Sequence, residues 1–343
     1  MTIWREGFWK RRKMRARAEL DLVSAIEGHF ASELLLGLLR AGILKLLDKP
    51  WSVEDLALAS GVEKVSLKQA LDYLAGATSV VLRVENGRYR LGEPGFAELA
   101  FQIEKFIGAY GVCIRNTGTS HRARKPRQPA DQNALAAAFS YTAGAGSPIA
   151  TYLLAAGISK MVELGCGSEP LSVQMALQDA DFEGLCIDSS APMCRLAARR
   201  ILAAGVRPRV RVERARAQDL CAAISASERK SCDTVYGRSI LNTLFGGRSN
   251  EAVLVLAGLR RAFPGRRAFF IDYYSEWPAK DPKLPARRVA RLQDLAQLAS
   301  GQGLPPIDRK VWAGYYRDAG CRLIATKDFD DKDIRWFIHE VRL

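Results

Sequence analysis

One short stretch constrains the fold of this chain more than any other. It runs from Met161 to Pro170 and joins an apolar strand to a turn that carries Gly165 and Gly167. A helical pattern follows from Leu171 to Leu177. Glycine lets the backbone approach a ligand where any Cβ would collide. The sequence therefore predicts a strand, a ligand-binding turn and a helix, in that order.

An acidic residue stands at the end of the next predicted strand. The run Gly184-Leu185-Cys186-Ile187-Asp188 is short, apolar and ends in a carboxylate. In doubly wound folds, an acid about 20 residues beyond the glycine turn binds a ribose hydroxyl of a nucleotide. The alternative is an ordinary strand–turn–helix with an aspartate on its surface. The full order of strand, glycines, helix, strand and acid favours nucleotide binding.

The run Glu163-Leu164-Gly165-Cys166-Gly167 resembles the first motif of class I S-adenosylmethionine (SAM)-dependent methyltransferases. The resemblance covers about residues 135–343. It implies a doubly wound, Rossmann-like α/β domain with seven strands and SAM as the cofactor. The last two strands, Leu323–Thr326 and Trp336–Val341, are predicted to pair antiparallel at one edge. The predicted SAM-binding residues are Glu163, Gly165, Gly167, Glu169, Asp188, Ser189, Ala217, Gln218 and Arg238.

Three positions depart from the family pattern. Glu169 stands where the family has a third small residue, and it could reshape the amino-acid end of the site or pair with the ammonium group of SAM. Arg216 stands where the family has an acid beside the adenine. Asn242 follows Leu241 where many O-methyltransferases have a histidine base. An amide cannot accept a proton at neutral pH, so this departure points away from simple alcohols as substrates.

Three residues are predicted to lie around the reacting atoms. The carboxyl ends of the strands form the ligand crevice in a doubly wound sheet. Asn242 follows the strand that begins at Cys232, and Tyr273 ends the apolar strand that begins at Ala268. Tyr141 precedes the first strand of the sheet and is a candidate lid, because an aromatic face attracts a sulfonium cation. The alternative for Tyr141 is ordinary helix packing.

The N-terminal part is predicted to form a separate domain over residues 1–115. Two helical patterns and a hairpin around Glu85-Asn86-Gly87 predict a winged helix. Its second helix, Ser66–Leu74, carries one lysine and one aspartate, so it is poorly suited to DNA. This part resembles the dimerisation domain of bacterial small-molecule methyltransferases, which implies a homodimer. A linker over 116–132 and a catalytic domain over 133–343 complete the prediction.

Composition narrows the possible partners and the compartment. The net charge of +14 would suit an anionic substrate, nucleic acid or an acidic membrane, but basic residues occur in both halves of the chain. No apolar run is long enough to predict a membrane span. Seven cysteines without a Cys-x-x-Cys pair predict reduced thiols in the cytoplasm. Three dispersed histidines predict no metal site.

The leading hypothesis is methyl transfer from SAM to a small anionic metabolite, such as the carbon of a 2-oxo acid, or to an amine, in secondary metabolism. Two alternatives stay open. SAM could be consumed without methyl transfer, either by cyclisation to azetidine-2-carboxylate and methylthioadenosine or by aminocarboxypropyl transfer. The chain could also be a regulator, with a winged helix that binds DNA and a domain that senses SAM.

Overall fold

The chain divides into two compact units in a computed structural model. The units are Met1–Ile107 and Gly108–Leu343. The structure describes residues 3–122, 129–141, 148–246, 250–277 and 287–343, and it describes side chains from residue 21 onward except at 118–122. The division at Ile107 lies before the predicted linker at 116–132.

The N-terminal unit is mostly helical and contains one short hairpin. Helices α1 to α4 are Ile3–Arg40, Ile43–Leu46, Val53–Ser60 and Lys64–Ala77. The hairpin pairs β1 (Val81–Arg83) with β2 (Tyr89–Leu91), and α5 (Phe96–Gln102) runs into a π-helical segment, Ile103–Ala109. The predicted order of helix, helix and hairpin is present, while the winged helix and its dimerising role remain predictions.

Helix caps show where local sequence rules hold in this unit. The Ser52 hydroxyl caps α3 by accepting a hydrogen bond from the Asp55 amide at 3.1 Å. The next helix does not begin at Ser66, contrary to the prediction from sequence. Helix α4 begins two residues earlier because the Glu63 carboxylate accepts hydrogen bonds from the amides of Val65 and Ser66, both at 2.7 Å.

Apolar residues at helical spacing over 22–47 predict buried helices, and helix α1 departs from this over residues 21–30. Its side chains from residue 21 to residue 30 are exposed, and they include Leu22, Val23, Ile26 and Phe30. Among the described residues, the segment Asp21–Arg40 is long and apolar enough to cross a membrane by length and composition. A single helix of this kind near the N-terminus is weak support for a membrane span, because core helices of soluble proteins pass the same test.

The C-terminal unit begins with three helices ahead of its sheet. They are α6 (Gly111–Arg122), α7 (Gln132–Tyr141) and α8 (Pro148–Ala155). The polar composition of residues 114–131 predicts a loop, which is wrong as far as Arg122, because α6 continues there and packs against a later helix of the same unit. Residues 123–128 lie outside the described residues.

A seven-stranded sheet forms the centre of this unit, as predicted. Five strands are parallel, and the last two are antiparallel. In sequence order the strands are β3 (Lys160–Leu164), β4 (Glu183–Asp188), β5 (Val210–Arg214), β6 (Thr234–Arg238), β7 (Arg267–Tyr273), β8 (Arg322–Asp331) and β9 (Ile334–Arg342). Their order across the sheet is β5-β4-β3-β6-β7-β9-β8. The direction of winding therefore reverses at β3, and ligands of doubly wound sheets bind at such a point.

Helices cover both faces of the sheet and enclose two apolar cores. Alternate residues of β3 enter different cores, with Met161 in one and Val162 in the other. This alternation follows from the period of two along a strand. The helices after β3 are α9 (Leu171–Gln178), α10 (Ala191–Ala203), α11 (Leu220–Ala223), α12 (Ala226–Ser231), α13 (Glu251–Ala262), α14 (Arg288–Ser300) and α15 (Arg309–Asp318).

Candidate functional site

The two glycines of the turn after β3 have different structural roles. Both have left-handed backbone angles, with φ of 61° at Gly165 and 62° at Gly167. A Cβ on Gly165 would lie 3.1 Å from Cδ1 of Ile240, which comes from the loop after the adjacent strand β6. A Cβ on Gly167 would meet no atom within 4 Å. Gly165 therefore allows close packing, and Gly167 leaves open space where a ligand could approach.

Asp188 is bonded to this turn from the end of β4. Its Oδ2 accepts a hydrogen bond from the Gly167 amide at 3.0 Å, and its Oδ1 accepts one from the Ser190 amide at 2.8 Å. Burial raises the pKa of this carboxyl, and the backbone donors act in the opposite direction. A carboxylate oxygen can accept two hydrogen bonds. Each oxygen of Asp188 therefore retains room for one more donor, which suits a pair of neighbouring hydroxyl groups. Ser189 lies exposed beside it.

Glu163 supports the turn from behind. Its Oε1 accepts a hydrogen bond from the Leu171 amide at 2.8 Å, and its Oε2 accepts from the amide and hydroxyl of Ser172 at 2.9 and 2.7 Å. These donors lie at the N-terminus of α9, where the helix dipole favours a negative charge. Burial raises the pKa of this carboxyl. The observed role of Glu163 is to fix α9 behind the turn, and its contact with a cofactor remains a prediction.

Glu169 forms an ion pair with helix α10. Its Oε2 lies 3.0 Å from Nε of Arg200. Both residues line a cavity of ≈ 240 Å³, together with Ser140, Ser168, Leu196, Arg199 and Ala203. The suggested pairing of Glu169 with a ligand ammonium group would have to compete with Arg200.

The residues predicted beside the adenine follow β5. Ala217 is half-buried and packs against the apolar core, while Gln218 is exposed and donates a hydrogen bond to Oε1 of Glu251 at 2.8 Å. Arg216, which replaces the acid of the family pattern, pairs with Asp219 at 2.7 Å. Strand β5 lies next to β4 and parallel to it. Ala217 and Gln218, which follow β5, are therefore at the same end of the sheet as Asp188, which ends β4.

Arg238 is the last residue of β6, which lies next to β3 on the side away from β4. Its guanidinium lies over the ring of Trp336, with 5.8 Å to the ring centroid. Ser239 follows with a φ of 52°, and its amide donates to the Ile271 carbonyl at 2.8 Å. The chain therefore turns sharply out of the sheet at this point. Contact of Arg238 with a cofactor remains a prediction.

Asn242 lies in the short 3₁₀ turn Leu241–Leu244 that follows β6. The backbone N–H of Asn242 donates a hydrogen bond to Oδ2 of Asp272 at 3.0 Å. Asp272 is the buried penultimate residue of strand β7, and burial raises its pKa to about 7. The side-chain oxygen of Asn242 is buried and has no hydrogen-bond partner among the described residues.

The side chain of Tyr273 contacts helix α14. Its hydroxyl donates to Oδ1 of Asp294 at 3.1 Å, and its ring packs edge-on against Trp336. Oδ2 of Asp294 accepts from the Ser275 hydroxyl at 3.0 Å. Tyr141 ends α7 immediately before the undescribed residues 142–147. The predicted contacts of Tyr141 and Tyr273 with a sulfonium group remain predictions.

Sequence analysis did not single out four polar side chains at this end of the sheet. They are Asp272, Gln293, Asp294 and Gln297, and all are buried. The position of Asp272 at the end of an apolar strand could have indicated a residue of the site, because the carboxyl ends of the strands face the ligand crevice. The three residues of α14 gave no motif, since their importance depends on which face of the helix is buried.

Within the ranges that the structure describes, no group of three or more His, Cys, Asp or Glu side chains could hold a metal ion. The seven cysteines are free thiols.

Comparisons with known proteins identify the fold. No family model matches the chain, and no curated protein matches it. The mitomycin 7-O-methyltransferase MmcR superposes with a TM-score of 0.68 at 15% identity, over 96% of this chain and 99% of that chain. The O-methyltransferase NcsB1 from neocarzinostatin biosynthesis, in complex with SAM and 2-hydroxy-5-methyl naphthoic acid, gives 0.61 at 16% identity, over 91% and 95%.

A third solved structure extends the range of chemistry on this fold. The dimethyltransferase RosA from Streptomyces davawensis, which acts on 8-amino-8-demethyl-D-riboflavin, gives a TM-score of 0.58 at 18% identity, over 97% of this chain and 98% of that chain. At these identities the likeness shows a shared fold, with both units included. The fold is that of SAM-dependent methyltransferases that act on small molecules.

Proposed function

We propose that this protein is a SAM-dependent methyltransferase that acts on a small molecule of secondary metabolism. The observation that carries the proposal is the bond between the open glycine turn and the acid of β4. The Gly167 amide donates to Asp188, and the space beside Gly167 is open. This arrangement lies where the winding of the sheet reverses, which is where nucleotide ligands of such folds bind.

The described residues fit SAM at three places. The remaining lone pairs of Asp188 suit the two ribose hydroxyls, and the open side of Gly167 leaves room for the ribose and the chain that leaves it. Ala217 is small enough to lie against the adenine ring. When bound, SAM supplies a methyl group activated by a positively charged sulfur. The protein then has to hold the substrate in line with that methyl group and exclude water.

The functions of proteins with this fold support a small-molecule substrate. The superposed structures include an O-methyltransferase of mitomycin, one of neocarzinostatin biosynthesis and an N,N-dimethyltransferase of an aminoriboflavin. Their substrates differ in the atom that is methylated, so the fold does not determine the nucleophile. Asn242 offers no base of its own, which favours a substrate whose nucleophile needs little deprotonation.

The alternative reactions of SAM lose their main support in the structure. Cyclisation or aminocarboxypropyl transfer was suggested by Glu169 at the methionine end, and Glu169 is paired with Arg200. The regulator hypothesis needed a basic recognition helix. Lys68 is the one lysine of the predicted second helix, and it is paired with Asp72 one turn later on α4. Methyl transfer therefore remains our proposal.

We also propose that the N-terminal unit joins two copies of the chain. Leu22, Val23, Ile26 and Phe30 are exposed on α1, and water would be excluded from them in a dimer. Sedimentation at micromolar concentration should show a homodimer, and the variant Ile26→Asp should shift it toward monomer. A wild-type monomer would contradict this proposal.

Product analysis tests the enzymatic proposal. The purified protein is incubated with SAM, with and without a pool of small metabolites, and the products are identified by mass spectrometry. We expect S-adenosylhomocysteine and a methylated metabolite, formed only with the pool and lost in Asp188→Asn. Enzyme-dependent methylthioadenosine from SAM alone would instead establish cyclisation or a related reaction.

A further inference from the structure

Helix α14 buries three large polar side chains on a face whose other buried members include Ala290, Ala296 and Ala299. Gln293, Asp294 and Gln297 are buried, with exposed fractions of 8%, 0% and 1%, whereas Leu292 and Leu295 are exposed at 51% and 44%. A helix on the surface of a globular protein normally buries its apolar stripe and exposes its polar one. The inverted arrangement indicates that the space beneath α14 has to be polar.

Two of these side chains have amide oxygens that are not hydrogen-bonded. The side-chain oxygens of Gln293 and Gln297 are buried and without a partner among the described residues. The two residues are four positions apart, so they lie on the same face of the helix. Asp294, between them in sequence, has partners within the chain, because its Oδ1 accepts from Tyr273 and its Oδ2 accepts from Ser275 and Glu276.

A third unpartnered amide approaches from the sheet. The side chain of Asn242 is 3% exposed, and its oxygen lacks a partner in the described part of the chain. The Asn242 backbone is bonded to Asp272, and Tyr273, the next residue, is bonded to Asp294 of α14. These contacts bring Asn242 and the polar face of α14 to the same end of β7.

Buried polar groups in folded proteins are almost always hydrogen-bonded, because an unpartnered one loses its bonds to water without replacement. Three such amides at one end of a ligand-binding sheet therefore indicate a molecule that completes their bonds. Each amide offers a carbonyl oxygen and an NH₂ group, and which end faces inward is an assignment that depends on the bound partner. The matching ligand presents donors and acceptors side by side.

The charge of the surroundings indicates what kind of molecule fits. Two carboxyl groups, Asp272 and Asp294, lie buried next to the amides, and burial raises the pKa of both. An anion placed there would be repelled by any ionised carboxylate and would lose its hydration. Neutral amides can satisfy a neutral partner without either penalty.

We propose that Asn242, Gln293 and Gln297 form the recognition surface of the substrate pocket, and that the substrate carries a neutral donor–acceptor group, as in a carboxamide or a lactam. This inference rests on the proposed methyltransferase function and names its substrate class. It replaces the expectation of an anionic substrate, which came from the net charge of the whole chain.

Matched probes test the substrate class. Benzamide and benzoate have nearly the same shape and differ in charge and in the amide donor, and 2-pyridone is a small lactam. Binding to the protein saturated with S-adenosylhomocysteine is measured by calorimetry and by thermal shift. We expect benzamide and 2-pyridone to bind at least tenfold more tightly than benzoate. Equal or tighter binding of benzoate, or binding of none of the three probes, would overturn the proposal.

The variants Gln293→Leu and Gln297→Leu test the residues. Each should weaken benzamide binding at least tenfold, leave SAM affinity within twofold, and raise the melting temperature of the ligand-free protein by a few degrees, because an unpartnered buried amide is removed. Gln178→Leu is the control, since Gln178 is exposed on α9 and bonded to Thr151 at 3.1 Å. It should change none of these quantities.

Unchanged benzamide binding in both leucine variants would show that the two amides do not contact the ligand. A lower melting temperature of the ligand-free variants would show that the amides have partners within the chain. Either result would overturn the substrate pocket and leave the SAM site intact. If the wild-type protein failed to bind SAM at all, the proposed function itself would be wrong. The SAM titration thus separates the two failures.

Discussion

The two sides of the sheet edge are built in opposite ways. On the glycine side, formed by Gly165, Gly167 and Asp188, backbone amides are bonded to the carboxylate across one short turn. On the amide side, formed by Asn242, Gln293 and Gln297, buried side-chain oxygens have no partner among the described residues. The bond between Gly167 and Asp188 forms without a ligand, whereas the side-chain oxygens of the amide side need one as a partner. We infer that the first is preorganised for a common cofactor and the second is specialised for one substrate.

Asp272 gives the largest expected effect, on the amide side. Burial raises its pKa from 3.8 to about 7, so the folded protein binds a proton more tightly than the unfolded chain. Wild-type stability should therefore fall as the pH rises from about 4 to about 7, by up to roughly 4 kcal/mol. Asp272→Asn should remove this dependence and lose about 1 kcal/mol at low pH, where one accepted hydrogen bond is missing. The two stability curves should cross.

Chemical denaturation across this pH range measures the effect. Asp331→Asn is the control, because Asp331 is exposed at the end of β8, and its curve should follow the wild type. Parallel curves of stability against pH for the wild type and Asp272→Asn would show that Asp272 is ionised in the folded protein. Water would then have more access to the amide side than we infer.

Glu163 should give the next largest effect, on the glycine side. Glu163→Ala leaves two amides and one hydroxyl at the start of α9 without an acceptor. The free energy of unfolding should fall by roughly 3 kcal/mol. Glu213→Ala is the matched control, since Glu213 is an exposed residue of β5 and should matter by less than about 0.5 kcal/mol. Equal effects of the two substitutions would show that α9 does not depend on this cap.

Much of the glycine side could be predicted from sequence because it is local. Gly165, Gly167 and Asp188 lie within one strand–helix–strand unit, and chain order alone places them together. The amide side joins residues from two distant segments, and its composition depends on which face of α14 turns inward. Apolar residues such as Leu292 and Leu295 would ordinarily be assigned to the buried face of a surface helix, yet both are exposed. The loop predicted from Ile114 failed for a similar reason, since packing against α14 extends α6 beyond its local propensity.

The two glycines should differ by about 1 kcal/mol. Alanine at either position strains a left-handed backbone and costs roughly 1–2 kcal/mol. Gly165→Ala adds a contact at 3.1 Å with Ile240, so it should destabilise more, and Ile240→Val in the same chain should recover part of the loss. Gly167→Ala should instead weaken SAM binding. Equal destabilisation, unaffected by Ile240→Val, would contradict the distinct roles of the two glycines.

Glu169 should give the smallest effect. Because Glu169 is paired with Arg200, Glu169→Gln should change SAM affinity by less than about twofold and stability by less than about 1 kcal/mol. Arg200→Gln should behave alike. A tenfold loss of SAM affinity in Glu169→Gln alone would place its carboxylate on the ammonium group of SAM, and would revive the alternatives to methyl transfer.

Calorimetric titration of SAM tests the central claim most directly, because the claim is that Asp188 holds the ribose. The wild type should bind SAM, and Asp188→Asn should bind it roughly ten- to hundredfold more weakly, as expected for a lost hydrogen bond to a charged group. Thermal melting of each variant shows that it is folded, and Asp181→Asn, an exposed aspartate before β4, should bind like the wild type. Equal SAM affinity in the wild type and in folded Asp188→Asn would contradict the account.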